Sequence, residues 1–159
     1  MQQLVVLPAK GEPTVAITCA LDQAREGRAV GVRDAVVLTV RPPEVCVTEP
    51  SDDWPGRQRL GARWWKALTG ALRDVGGWRR ADDLSDSCFR HLVQAGMSKS
   101  FLEESAMALA ASSTTVLLLA DRIDVRSLLP KLEKGEFMRL IYGWLPDAAV
   151  DELTTAASA

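Results

Sequence analysis

The chain of 159 residues holds one histidine and three cysteines, and no uninterrupted apolar run reaches the ~18 residues that an ordinary transmembrane helix needs. Each scarcity excludes something. The lone His91 stands three residues after Cys88 on a predicted helix. The two could share a face, but a closed zinc site takes about four ligands, and no second Cys/His pair completes one. No metal and no cofactor are therefore expected. Cys19, Cys46 and Cys88 are odd in number, widely spaced and form no C-x-x-C, which suits a reducing cytoplasm. The opening MQQLVVLPAKGEP lacks the basic start and the long apolar stretch of a signal peptide. Neither G-x-S-x-G, G-x-G-x-x-G nor a Walker motif occurs, so no nucleophile elbow and no phosphate-cradling loop is predicted. There is no internal repeat and no low-complexity tract.

Neither sign of charge dominates. A net charge of −2 argues against a general nucleic-acid binder, but the charge is uneven. Residues 57–80 carry seven Arg or Lys against one acid, a local +6, so the remainder carries −8. A basic patch on an acidic protein suits an anionic partner or the protein's own acidic surface. At 47% hydrophobic and 25% charged, the composition is that of a globular chain long enough to bury a core. One domain over 1–159 is expected.

The hydrophobic pattern alternates between strand and helix periods. QLVVLPA, DAVVLTV, EVCVTE and TTVLLLAD read as strands, the second and third as a hairpin. A further strand lies within EFMRLIYGWLP. Helices are predicted in EPTVAITCALDQAREG, over residues 59–75, in ADDLSDSCFRHLVQAGM, in SKSFLEESAMALAASS, in VRSLLPKLEKG and in PDAAVDELTTAA. Gly96 ends the third of these, and Ser100 with Glu103 fits a capping box in the fourth. The order predicts an α+β fold with a ferredoxin-like β-α-β-β-α-β core, helices on one face of an antiparallel sheet, central helices inserted at about 58–96, and an added C-terminal α-β-α. The fifth strand and the last helix either extend the sheet or pair with another subunit.

Several segments resemble a bacterial family of uncharacterised proteins described as predicted membrane proteins of unknown function. The resemblance lies in LVV…ALDQAREG…DAVVLTV, in GALRDVG at 70–76, in SKSFLEESAMALAASSTTVLLLAD at 98–121 and in the closing LLPKLEKGEFMRLIYGWLPDAAVDEL. It implies the same strand-helix plan and carries over no catalytic residue. Two departures weigh against the membrane description. The Gly/Ala-rich segment of the family is shortened here and interrupted by Arg63, Lys66 and Arg73, and residues 77–97 intrude before the Phe101 helix. The resemblance thus implies a soluble variant.

RWWKALTGALRDVGGWRR, at 63–80, is the most distinctive stretch. Leu60, Trp64, Leu68, Leu72 and Val75 form an apolar stripe at helical spacing, flanked by Arg59, Arg63, Lys66 and Arg73. Adjacent residues on a helix lie ~100° apart, so Trp65 is predicted at the edge of the stripe, outside its centre. In the plainest reading the stripe packs on the sheet and the basic side chains are solvated. In a second, Trp65 and Trp78 line an oligomer or partner interface, since Trp and Arg are enriched there. A third makes the segment a basic, Trp-bearing helix at a membrane surface.

The acidic pairs at 52–53, 82–83 and 103–104 sit in loops or at helix starts, where capping explains them better than acid/base chemistry. A cytoplasmic, non-enzymatic interaction or regulatory protein is expected, acting as a homo-oligomer or on a protein partner through Trp64, Trp65, Trp78, Trp144, Arg63 and Lys66. The alternatives are a cofactor-independent enzyme or binding protein for a small hydrophobic molecule, with His91 or Tyr142 as the reactive group, and a peripheral membrane protein.

Overall fold

A computed structural model describes residues 2–9, 30–41, 44–49, 57–75, 84–111, 114–123 and 139–158. The described elements are β1 (Gln2–Ala9), β2 (Val30–Arg41), β3 (Glu44–Thr48), α1 (Ala62–Val75), α2 (Leu84–Gln94), α3 (Lys99–Ala111), β4 (Thr114–Ile123), β5 (Ile141–Leu145) and α4 (Asp147–Ser158). The helices predicted before β2 and between β4 and β5, the loop at 50–56 and Trp78 lie outside the described residues.

The five strands form one sheet in the order β3-β2-β4-β1-β5, and every neighbouring pair is antiparallel. The fold is α+β, as the alternation of periods predicts, but the strand order departs from the expected plan. In that plan the strand at 44–49 lies between the first two. Here β3 is an edge strand whose one described strand partner is β2, with Arg41 opposite Glu44. It is β4 that enters between β1 and β2, which therefore run parallel to each other. The physical reason is visible in the side chains. β3 offers only half-buried Val45 and Val47 between exposed Cys46 and Thr48, whereas β4 is buried at every position from Thr114 to Ala120. A strand that is apolar on both faces belongs in the sheet centre, and one that alternates belongs at an edge.

The second departure concerns the faces. On one face Leu4, Val6, Val36, Leu38, Leu117, Leu119, Ile141 and Leu145 join a single core with residues of all four described helices. On the other face Val5, Leu7, Ala35, Val37, Val116, Leu118 and Ala120 are equally inaccessible without belonging to that core. The sheet is thus buried on both sides, whereas the sequence predicts cover on one. This accounts for the continuous apolar runs in β1, β2 and β4, where a half-solvated sheet would alternate.

The helix α1 occupies the middle of the helical layer, packed against α2, α3, α4 and β3. Trp64 is 2% exposed and Trp65 0%. Their rings meet edge to face, with centroids 4.9 Å apart, a favoured aromatic geometry. The predicted edge position of Trp65 is therefore corrected. A helix covered by one sheet buries one stripe, but a helix enclosed by a sheet and three other helices buries most of its circumference. Among the residues of α1 whose burial is described, Arg63 and Lys66 are the exposed ones.

Candidate functional site

Two constellations stand out, one buried and one open. The buried one centres on Asp34. The register of β2 on β4 shifts between Val32 and Asp34, a bulge that turns Asp34 onto the helical face together with Val36 and Leu38. Its carboxylate accepts from the amides of Ala35 (2.9 Å) and Leu60 (3.2 Å), from Arg57 Nε (3.3 Å) and from the indole Nε1 of Trp65 (3.0 Å). The Asp34 and Arg57 side chains are 1% and 3% exposed, so the pair is a buried ion pair whose remaining acceptor capacity is filled by hydrogen bonds. That is the condition under which such a pair is tolerated. The backbone follows the same path: Gln58 N donates to Arg33 O. Gly61 then adopts φ +91°, a conformation natural to glycine, before α1 begins. This cluster fastens the entry of α1 to the sheet. With every described partner internal, it presents nothing to a ligand, and its role is positioning.

The open constellation lies along the outer edge of β5. Helix α2 ends in a Schellman motif, in which Met97 N donates to Leu92 O and Gly96 N to Val93 O, with Gly96 at φ +108°. The chain then reverses at once into α3, whose N-cap is Ser98: its Oγ accepts from Phe101 N at 3.3 Å. The predicted capping box at Ser100 and Glu103 is therefore not formed: the cap lies two residues earlier, with Phe101 at the third helical position. Ser100 instead shares a hydrogen bond with Ser98, Oγ to Oγ, 3.0 Å. This start places the Phe101 ring directly over Gly143 of β5. A Cβ on Gly143 would lie 2.6 Å from Phe101 Cγ, so the glycine is the space the ring occupies. Arg139, just before β5, forms an ion pair with Glu104 on α3. Pro146 follows β5, and its carbonyl accepts from the amides of Ala149 and Val150 in the first turn of α4.

The result is a cleft of about 350 Å³ lined by Gly96, Ser98, Ser100, Phe101, Glu104, Tyr142, Gly143 and Trp144. β5 pairs with β1 along one edge, from Gln2 opposite Leu145 to Val6 opposite Ile141. Among the described residues no strand pairs with its other edge. Ile141 and Leu145 point into the core, while Tyr142 and Trp144 are 45% and 54% exposed.

The sequence-predicted site residues therefore divide. Tyr142 and Trp144 meet at this cleft. Trp64 and Trp65 belong to the core, with Trp64 Nε1 donating to Val150 O (3.4 Å). Arg63 and Lys66 are exposed on α1, and His91 is exposed on α2, 3.8 Å from Glu152. The lining expected for a hydrophobic ligand, with Trp64, Trp65 and His91 beside Tyr142, is not assembled. Nor does α1 suit a membrane surface, because the tryptophans such a helix would insert are turned inward. Among the described residues there is no group of three or more potential metal ligands and no helix long and apolar enough to cross a membrane.

Sequence reasoning missed Gly143, Phe101, Asp34 and Arg57. Two signals could have found them: a glycine between two aromatics within a strand marks a close approach, and an acid inside an apolar strand must have a buried partner. No family model, no curated protein and no solved structure matches the chain.

Proposed function

We propose that this protein is a non-enzymatic interaction protein of the cytoplasm whose working surface is the outer edge of β5. The observation that carries this is the exposure of Tyr142 and Trp144 side by side on a strand whose outer edge has no described partner. An unpaired edge offers a row of backbone donors and acceptors to an extended chain. Large aromatics are the side chains that most often anchor a partner. The cleft combines polar groups (Ser98, Ser100, Glu104) with the Phe101 ring, a composition suited to a polypeptide segment. The free, exposed Cys46 supports a reducing compartment.

The kinship to the bacterial family of uncharacterised proteins belongs to the same proposal. So does a ferredoxin-like descent of the sheet, supported by β1 and β2 running parallel on either side of β4.

The test is selection from a displayed random-peptide library against the full chain and against a Tyr142→Ser/Trp144→Ser variant. Both side chains are exposed, so the variant should fold. Enrichment of extended, apolar sequences by the wild type and its loss in the variant is the expected result. Identical peptide sets from both proteins, or none from either, would overturn the proposal.

A further inference from the structure

The strand at the centre of the proposed surface is chemically palindromic. Ile141-Tyr142-Gly143-Trp144-Leu145 reads aliphatic, aromatic, glycine, aromatic, aliphatic in either direction. A two-fold contact requires a surface complementary to itself, because each residue i that meets j must also meet it with the copies exchanged. We propose that the occupant of the β5 edge is a second copy of this chain, paired antiparallel to the first with the dyad at Gly143. This rests on the reading of the β5 edge as an interaction surface and names its partner.

The pairing follows from the register. With Gly143 opposite the partner's Gly143, Tyr142 falls opposite the partner's Trp144, and Ile141 opposite the partner's Leu145. On the exposed face this makes two Tyr–Trp cross-strand pairs, the kind of contact that stabilises antiparallel ladders. It covers the exposed aromatics that each copy otherwise presents to water. On the helical face the glycines leave no side chain at the dyad. The Phe101 ring of each copy lies over its own Gly143, so the two rings come side by side where the strands are closest.

Charge agrees with the same register. Four residues from the dyad in one direction lies Arg139, and four in the other lies Asp147, both exposed. The antiparallel arrangement brings each Arg139 toward the partner's Asp147 at both ends of the ladder. Arg139 already holds Glu104 of its own chain, and the guanidinium has donors enough for a second carboxylate. A parallel pairing would set Arg139 against the partner's Arg139 and lose this. The five-residue strand is short, so the ladder alone gives a weak, concentration-dependent dimer.

Sedimentation velocity on the full chain, from low micromolar to near-millimolar concentration, should show a reversible monomer–dimer equilibrium. Tyr142→Ser/Trp144→Ser should weaken it at least tenfold, with an unchanged circular-dichroism spectrum. The register is read by disulfide trapping in a background with Cys19, Cys46 and Cys88 all replaced by serine. A mixture of Tyr142→Cys chains with Trp144→Cys chains should give a cross-linked heterodimer, while either variant alone should not cross-link through the new thiol.

A chain that stays monomeric throughout overturns the inference, and the peptide selection then decides separately whether the edge binds other polypeptides. A dimer unaffected by the aromatic substitutions overturns it as well. Cross-linking as efficient within each single variant as between them excludes the Gly143 dyad.

Discussion

The indole of Trp65 donates its N–H to the carboxylate of Asp34 across 3.0 Å, in a site where the two residues are each 0% exposed. This bond joins the central helix to a bulge in the sheet. It fixes the rotation of α1, and that rotation in turn decides which tryptophans are hidden. Because Asp34 also holds Arg57 and the amide of Leu60, the whole approach to α1 depends on one side chain.

Replacing Asp34 should therefore be costly. Asp34→Asn keeps the shape but leaves the buried Arg57 guanidinium facing a neutral amide, and breaking a buried pair this way costs about 3–5 kcal/mol. Trp65→Phe removes one hydrogen bond to a charged acceptor while retaining an aromatic ring, and should cost less, about 1.5–3 kcal/mol. Denaturant unfolding of the two single variants and the double variant should show a coupling of about 0.5–3 kcal/mol. Additive losses would show that the bond does not link them.

Gly143 should tolerate no side chain. The added methyl of Gly143→Ala meets the Phe101 ring well inside contact distance, and overpacking of this kind costs about 1–3 kcal/mol. Trimming the ring with Phe101→Leu should relieve part of that cost, so the double variant should be more stable than the sum of the singles predicts. Thermal unfolding of the four proteins is the measurement.

Gly70 should behave in the opposite way. It lies within α1, and a Cβ there meets nothing within 4 Å. Gly70→Ala removes a flexible residue from a helix interior and should stabilise the protein by about 0.5–1 kcal/mol. A rise in the denaturant midpoint at unchanged slope would bear this out.

The tryptophans should differ in accessibility. Trp144 is half exposed while Trp64 and Trp65 are sealed. In dilute solution, Trp144→Phe should reduce acrylamide quenching of the remaining fluorescence. Trp64→Phe should increase the quenchable fraction. Equal changes in the two variants would contradict the placement of these side chains.

Much of the architecture was legible in the chain. The apolar runs around Val5, Val36 and Leu117 announced strands, although their lack of polar alternation, the mark of cover on both faces, was set against an expected one-sided layer of helices. The stripe through Trp64, Leu68 and Leu72 announced a helix facing a core. Gly96 marked a helix end, and it closes α2 through its positive φ. Of the site, Tyr142 and Trp144 were identified as candidates, but their meeting with Ser98, Ser100 and Phe101 was not. Those residues lie about forty positions earlier, and local periodicity carries no information about which distant elements adjoin.

By itself, then, the sequence determined the kinds and rough positions of the described strands and helices, since these follow from periodicity, turn residues and caps acting over a few positions. Only the tertiary structure decided that β4 enters between β1 and β2, that three helices and a sheet enclose α1 so that Trp65 is core and not surface, and that Tyr142 and Trp144 stand at an open edge. The physical reason is that burial of a side chain is set by the sum of all the elements around it. A periodic pattern says that a residue has an inward or outward face, but the number of neighbours on each side is a property of the assembled layers alone.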